Sequence, residues 1–134
     1  MALLSTLGNY RNTGLLIIRV ALGFMFIMYG YPKITGGPEM WKGVGSAMGH
    51  IGITFGYTIW GFLAAIVETL GGFLLIIGLA FRPAALFMAF VMFIAALHHY
   101  KGEGFMSAGH PIELLSVFIG LALVGPGKYS VDKR

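Results

Sequence analysis

Cysteine is absent from this 134-residue chain, which excludes disulfide scaffolds, thiolate metal sites and CxxC redox chemistry within the chain itself. Charge is almost as scarce. Charged residues make up 10% of the chain, against about 25% in an ordinary soluble domain. Acids are the rarer sign, with only Glu39, Glu68, Glu103, Glu113 and Asp132. The net charge of +4 and the isoelectric point near 9.6 do not signal nucleic acid, because the cations stand singly at the ends of apolar runs instead of forming a basic patch.

What remains is apolar: 57% of the residues are hydrophobic and the mean hydropathy is +0.84. This is the composition of an integral membrane protein, whose first partner is the lipid bilayer. A hydrocarbon core of roughly 30 Å needs about 20 apolar residues per helix, so the chain holds one domain of at most four short spans. They fall at about 14–31, 56–79, 83–99 and 111–124. The first ends at Pro32 and reads as a retained span, since no small-residue cleavage site follows it. Pro83 and Pro111 sit where a first helical turn tolerates proline, and Gly125-Pro126-Gly127 stops the last helix. The Gly-rich stretch 32–55 is a connection with a short interfacial helix expected around Met40 to Met48. The fold expected is therefore all-α, a membrane four-helix bundle. Four spans put both termini on one side with Arg11, Arg82, Lys128, Lys133 and Arg134, facing Lys33, Lys42 and Lys101 on the other. The positive-inside rule then makes the termini cytoplasmic.

Against this background Glu68, within FLAAIVETLGGFLLIIG (62–78), needs a reason, because an acid at the bilayer centre costs about 2.5–3.5 kcal/mol. Counting at about 1.5 Å per residue from the terminal-side cations places Glu68 at ~21 Å, Glu113 at ~22 Å, His98 and His99 at ~24–26 Å and Tyr29 at ~27 Å. Buried ionisable groups in membranes face cavities or one another. Glu68, Glu113 and His98 or His99 are thus expected to line one pocket in the outer half of the bundle. The alternative for Glu68 by itself is a protonated acid hydrogen-bonded to a neighbouring helix.

Arg19 lies lower, at ~12 Å, and leans away from Glu68; it divides between snorkelling to the headgroups and a role inside the bundle. His98 and His99 diverge by about 100° on a helix, so only one faces the axis. They suit a single ion poorly, and no metal is expected. His50 and His110 read as solvated residues of the outer connections. Trp41, Trp60, Tyr57 and Tyr100 fall at the outer boundary, the place of an aromatic belt, with Trp41 in its Gly-rich loop a candidate lid. The eight methionines are core filler.

Taken in order, the landmarks are Arg19 with Gly23 and Phe26, Tyr29-Gly30 followed by Lys33, Trp41, Glu68 with Gly71-Gly72 and Gly78, Arg82-Pro83, His98-His99, Glu113, and a tail GPGKYSVD at 125–132. This pattern resembles the DoxX family of small four-helix bacterial and archaeal membrane proteins along nearly the whole chain. Many members carry histidine where this chain has Tyr29, which leaves a phenol in place of an imidazole. One branch of the family resembles the membrane subunit of thiosulfate:quinone oxidoreductase. The resemblance implies an inner-membrane subunit of a quinone-linked redox system with a quinone as its cofactor, while the residues themselves, without cysteine or a haem pair, lead to the expectation of neither metal nor haem. In that reading Glu68 and Glu113 exchange protons, His98 or His99 bonds a quinone carbonyl, and Tyr29 and Lys33 trim the pocket. Electrons then come from a protein partner. The rival readings are a non-catalytic scaffold for a larger complex and a small transporter that works as a homo-oligomer.

Overall fold

The computed structural model describes residues 3–133; Arg134, counted above among the terminal-side cations, lies outside the described residues. A 3-10 turn at Ser5–Tyr10 leads into α1 (Arg11–Thr35), then α2 (Pro38–Gly45), a second 3-10 turn (Ser46–Ile51), α3 (Tyr57–Ile77), α4 (Phe81–Glu103) and α5 (Gly109–Val124). No strand occurs among the described residues. Helices α1, α3 and α4 are long and apolar enough to cross a membrane, and α5, also apolar, is shorter at 16 residues. Together these four form the expected bundle, and α2 with the second 3-10 turn is the short helical connection expected near Met40 to Met48.

Helix α1 does not stop at Pro32 but runs on to Thr35. A proline forfeits one backbone hydrogen bond and crowds the preceding turn, yet this one stands in the last turn, and the Thr35 hydroxyl donates back to the Pro32 carbonyl at 3.2 Å. The consequence is that Lys33 belongs to a helix and not to a loop. The buried residues of α1 are Leu15, Arg19, Gly23, Phe26 and Gly30, spaced by four or three. That is one helical face, and it is packed on α3.

Where α1 crosses α3, Gly23 and Gly72 face each other so closely that a methyl group on either would collide with the other's carbonyl oxygen. Lipid supplies no hydrophobic drive between helices, so close backbone contact of this kind is what holds them. Gly72→Val is expected to destabilise the protein by about 1–3 kcal/mol, seen as a lower unfolding temperature in detergent. Gly120→Val, at a position with open space around the added carbon, should change that temperature by no more than about 2 °C.

At the end of the bundle away from the termini, α2 lies across the first half of α3, with Gly61 beneath the Trp41 carbonyl and Gly45 against that of Tyr57. The following 3-10 turn packs Ala47 and Met48 on Ile94 of α4. The main core is built from Leu15, Phe26, Leu75, Phe81, Met88 and Phe118 among others. Helix α5 packs along α4 and meets α1 through Phe118, whose ring stands edge-on to Phe26 at 5.2 Å.

The terminal end is tied together by the tail. Gly78, at φ 72, ends α3 in the left-handed conformation that glycine adopts freely, and the N–H groups of Val131 and Asp132 donate to the Ile77 and Gly78 carbonyls. The Asp132 carboxylate accepts from the N–H groups of Ala80 and Phe81 at 3.2 and 2.8 Å, where a helix start favours negative charge. Arg82 donates to the Ala122 and Leu123 carbonyls at the end of α5. Arg19 is 1% exposed and donates to four carbonyls, those of Leu75, Ile76, Pro126 and Tyr129, at 2.7–3.0 Å. Its place is therefore inside the bundle; it does not snorkel and does not reach Glu68.

Candidate functional site: a cavity with one polar end

Lys33, carried into α1 by the helical turn beyond Pro32, meets Glu68 on the facing side of α3. Its ammonium donates to both carboxylate oxygens, at 2.9 and 3.1 Å. The Glu68 side chain is 5% exposed and that of Lys33 32%. The question of how an acid is tolerated in the apolar run is answered by this bond, since a charge can be buried when it is paired and hydrogen-bonded. The Trp41 indole N–H donates to the Lys33 carbonyl at 2.8 Å, and its ring stands edge-on to Phe62 at 4.7 Å. Trp41 thus braces the end of α1 against α3.

The pair forms part of the wall of a cavity of about 640 Å³, within the range of small-molecule sites. Helix α3 contributes Trp60, Leu63, Ala64, Val67 and Glu68; α4 contributes Phe87, Phe90, Val91, Ile94, Ala95, His98 and His99; α2 and its 3-10 turn roof it with Gly43, Val44, Gly45, Ala47 and Met48. Both helical sets follow the i, i+3, i+4, i+7 stripe of a single face. Phe87 and His99 are twelve residues apart, so the cavity extends ~18 Å along α4. The Lys33–Glu68 pair and the histidines are its charged or titratable lining, and everything toward Phe87 is apolar. Phe87 and Phe90 are exposed, so the apolar end opens on the flank of the bundle.

The two histidines both line the cavity, although one alone was expected to face it. His98 is joined by a residue that the sequence reading left in solvent: His50, at the end of the 3-10 turn, places Nε2 3.4 Å from His98 Nδ1. His99 Nδ1 lies 3.9 Å from the exposed Glu103 carboxylate.

Three expected members stand elsewhere. Glu113 is exposed on α5 and is not part of the cavity wall, because α5 packs along α4 and not along α3; its height matches that of Glu68, its position around the bundle does not. Tyr29 is exposed and rests edge-on against Phe26 at 5.5 Å, also outside the cavity. Trp41 is a brace and not a lid. Trp60, expected in the aromatic belt, lines the cavity instead. The signal for it was the spacing Trp60, Ala64, Val67, Glu68, which puts the indole on the acid's own face.

A bundle of apolar helices around a ligand-sized cavity, with an ion pair at its polar end, defines a small helical membrane protein. The chain belongs to the DoxX family, whose family model matches residues 14–101. That segment contains Arg19, Lys33, Glu68, His98 and His99 and leaves Glu113 outside. Two relatives extend over nearly the whole chain. The inner membrane protein YphA of Escherichia coli (strain K12) is 29% identical over 136 residues, 95% of this chain and 94% of that protein. The inner membrane protein YqjF of the same organism is 30% identical over 129 residues, 91% and 92% of the two chains. No solved structure matches the chain.

Proposed function

We propose that the protein is an inner-membrane, quinone-binding subunit of a redox system, with its termini in the cytoplasm. The observation that carries this reading is the shape and chemistry of the cavity, which is ~18 Å long, with charged and titratable groups at one end, apolar walls toward the other, and an opening on the bundle's flank between α3 and α4. A lipid-soluble molecule with a compact polar head matches that combination. The residues present fit a quinone, since its carbonyl oxygens need donors and its ring and tail need apolar walls. Lys33 and the histidines are donors; Trp60, Phe87 and Phe90 are walls.

A bound quinone supplies two-electron chemistry coupled to two protons. Within the chain, Glu68 exchanges a proton with the head group and Lys33 holds the carboxylate in place. His98 or His99 donates to a carbonyl oxygen, and Trp60 excludes water from the head. The electrons come from a partner protein carrying its own redox centre. The kinship with the inner membrane proteins YphA and YqjF supports the location, and the positive-inside bias supports the orientation.

The chain has two tryptophans, so Trp41→Phe leaves Trp60 as a reporter on the cavity wall. Titration of a short-chain quinone into nanodiscs of this variant is expected to quench Trp60 saturably. Glu68→Gln on the same background should weaken the apparent affinity about tenfold, the equivalent of one hydrogen bond to a charged group. Linear quenching, identical with and without Glu68, would show only partition into the bilayer and would reject the reading. Retained binding with failed assembly of a partner complex in the Glu68→Gln protein would favour the scaffold.

A further inference from the structure

The His50–His98 contact is a long hydrogen bond. The two nitrogens are 3.4 Å apart, beyond the range of about 2.7–3.2 Å usual when an N–H meets an oxygen. It matches another arrangement. Two imidazole nitrogens bound at about 2.0–2.1 Å to one tetrahedral ion are ~3.3 Å apart, with ring centroids ~5.2 Å apart. Here the centroids are 5.5 Å apart with the rings inclined at 53°, so a rearrangement of a few tenths of an ångström admits the ion.

The two residues also come from different elements, the 3-10 turn and α4, which removes the objection to adjacent histidines on one helix. Their setting is accessible: His98 is exposed and His50 half-buried. The flanking ionisable groups are His99, whose ring stands edge-on to that of His98 at 5.7 Å, and Glu103 beyond it. Among the described residues no cluster of three or more His, Cys, Asp or Glu is placed to hold an ion. Water therefore completes the shell, and the site is exchangeable and not structural.

We infer that His50 and His98 form a two-histidine site for a divalent transition ion, with Zn²⁺ as the probe, bound between the roof of the cavity and α4. Imidazole suits Zn²⁺, Ni²⁺ and Cu²⁺ and discriminates against Mg²⁺ and Ca²⁺. Because Ala47 and Met48 of the same turn wall the cavity, an ion held there staples the roof down at the polar end. The inference does not depend on what the cavity binds.

The experiment is calorimetric titration of the purified full chain with ZnCl₂, in nanodiscs without a tag of histidines. One Zn²⁺ per chain is expected, with Mg²⁺ giving no heat. His50→Gln and His98→Gln should each weaken binding at least tenfold, whereas His110→Gln, on an exposed residue, should change it less than threefold. Zn²⁺ should also slow amide hydrogen exchange in Ser46–Ile51 in the parent protein and not in His50→Gln. Unfolding temperatures within a few degrees of the parent show that the variants are folded. Should a glutamine variant fail that check, the exchange measurement on the parent decides. Absence of binding below 1 mM, equal affinity in His50→Gln, or unchanged exchange in Ser46–Ile51 overturns the site.

Discussion

Replacing Arg19 with methionine is expected to lower the stability of the bundle by about 3 kcal/mol or more and to free the tail from its place across the terminal end. Hydrogen bonds from a charged donor contribute about 1.5–3 kcal/mol each, and a buried carbonyl left without a donor costs about 1–3 kcal/mol. Arg19 serves four of them. The effects are not additive, since water and a tightened last turn can satisfy part of the Leu75 and Ile76 carbonyls. That of Pro126, buried and outside any helix, has no such recourse while the tail stays docked. Methionine keeps most of the volume, so the loss reports the fork of donors and not a cavity. Arg19→Lys should recover less than half of it, because three donors on one nitrogen cannot span four divergent carbonyls. The measurement is thermal or denaturant unfolding in detergent, paired with trypsin cleavage at Lys128, which should accelerate as residues 126–132 detach.

The Lys33–Glu68 pair makes the second large effect, and there stability and binding should separate. Lys33→Met leaves a carboxylate that is 5% exposed without its partner. Breaking a fully buried pair costs about 3–5 kcal/mol; with a third of Lys33 exposed, a loss of about 2 kcal/mol is expected. Lys33→Met combined with Glu68→Met should restore stability to the parent level or above it, as apolar replacement of both partners often does. If the pair served packing alone, that double variant would behave as the parent in every respect. On the reading proposed above it is stable but no longer binds quinone saturably. A double variant that still quenches Trp60 saturably with parent affinity would remove the pair from the site.

Much of the fold was legible because membrane insertion leaves a coarse signal. Spans were marked by apolar length and by Pro83, Pro111 and the Gly-Pro-Gly stop, and each fell on an observed helix. The end of α1 is not legible, because Pro32 reads as a breaker, although in a last turn it removes only one hydrogen bond. That error of one turn concealed why Lys33 can reach Glu68.

The site divides in the same way. Height along the membrane normal follows from counting residues, and it placed the acid and the histidines in one layer. Rotation about each helix and the choice of neighbours do not follow from counting. Glu113 shares the height of Glu68, yet α5 stands beside α4 and keeps it out of the cavity. Trp41 and Trp60 lie near one boundary, but only the face of α3 distinguishes the wall from the brace. His50 was unreadable, since the fold of a Gly-rich connection decides what it approaches.

The sequence by itself determined the solvent in which this protein folds, the number of its long helices and the relative height of Glu68 and the histidines along them, because these depend on local composition and a fixed rise per residue. Only the tertiary structure decided which polar groups meet: Lys33 with Glu68, His50 with His98, Arg19 with four carbonyls. Those partnerships depend on helix azimuth and close glycine crossings, and these are settled by packing between segments far apart in the chain.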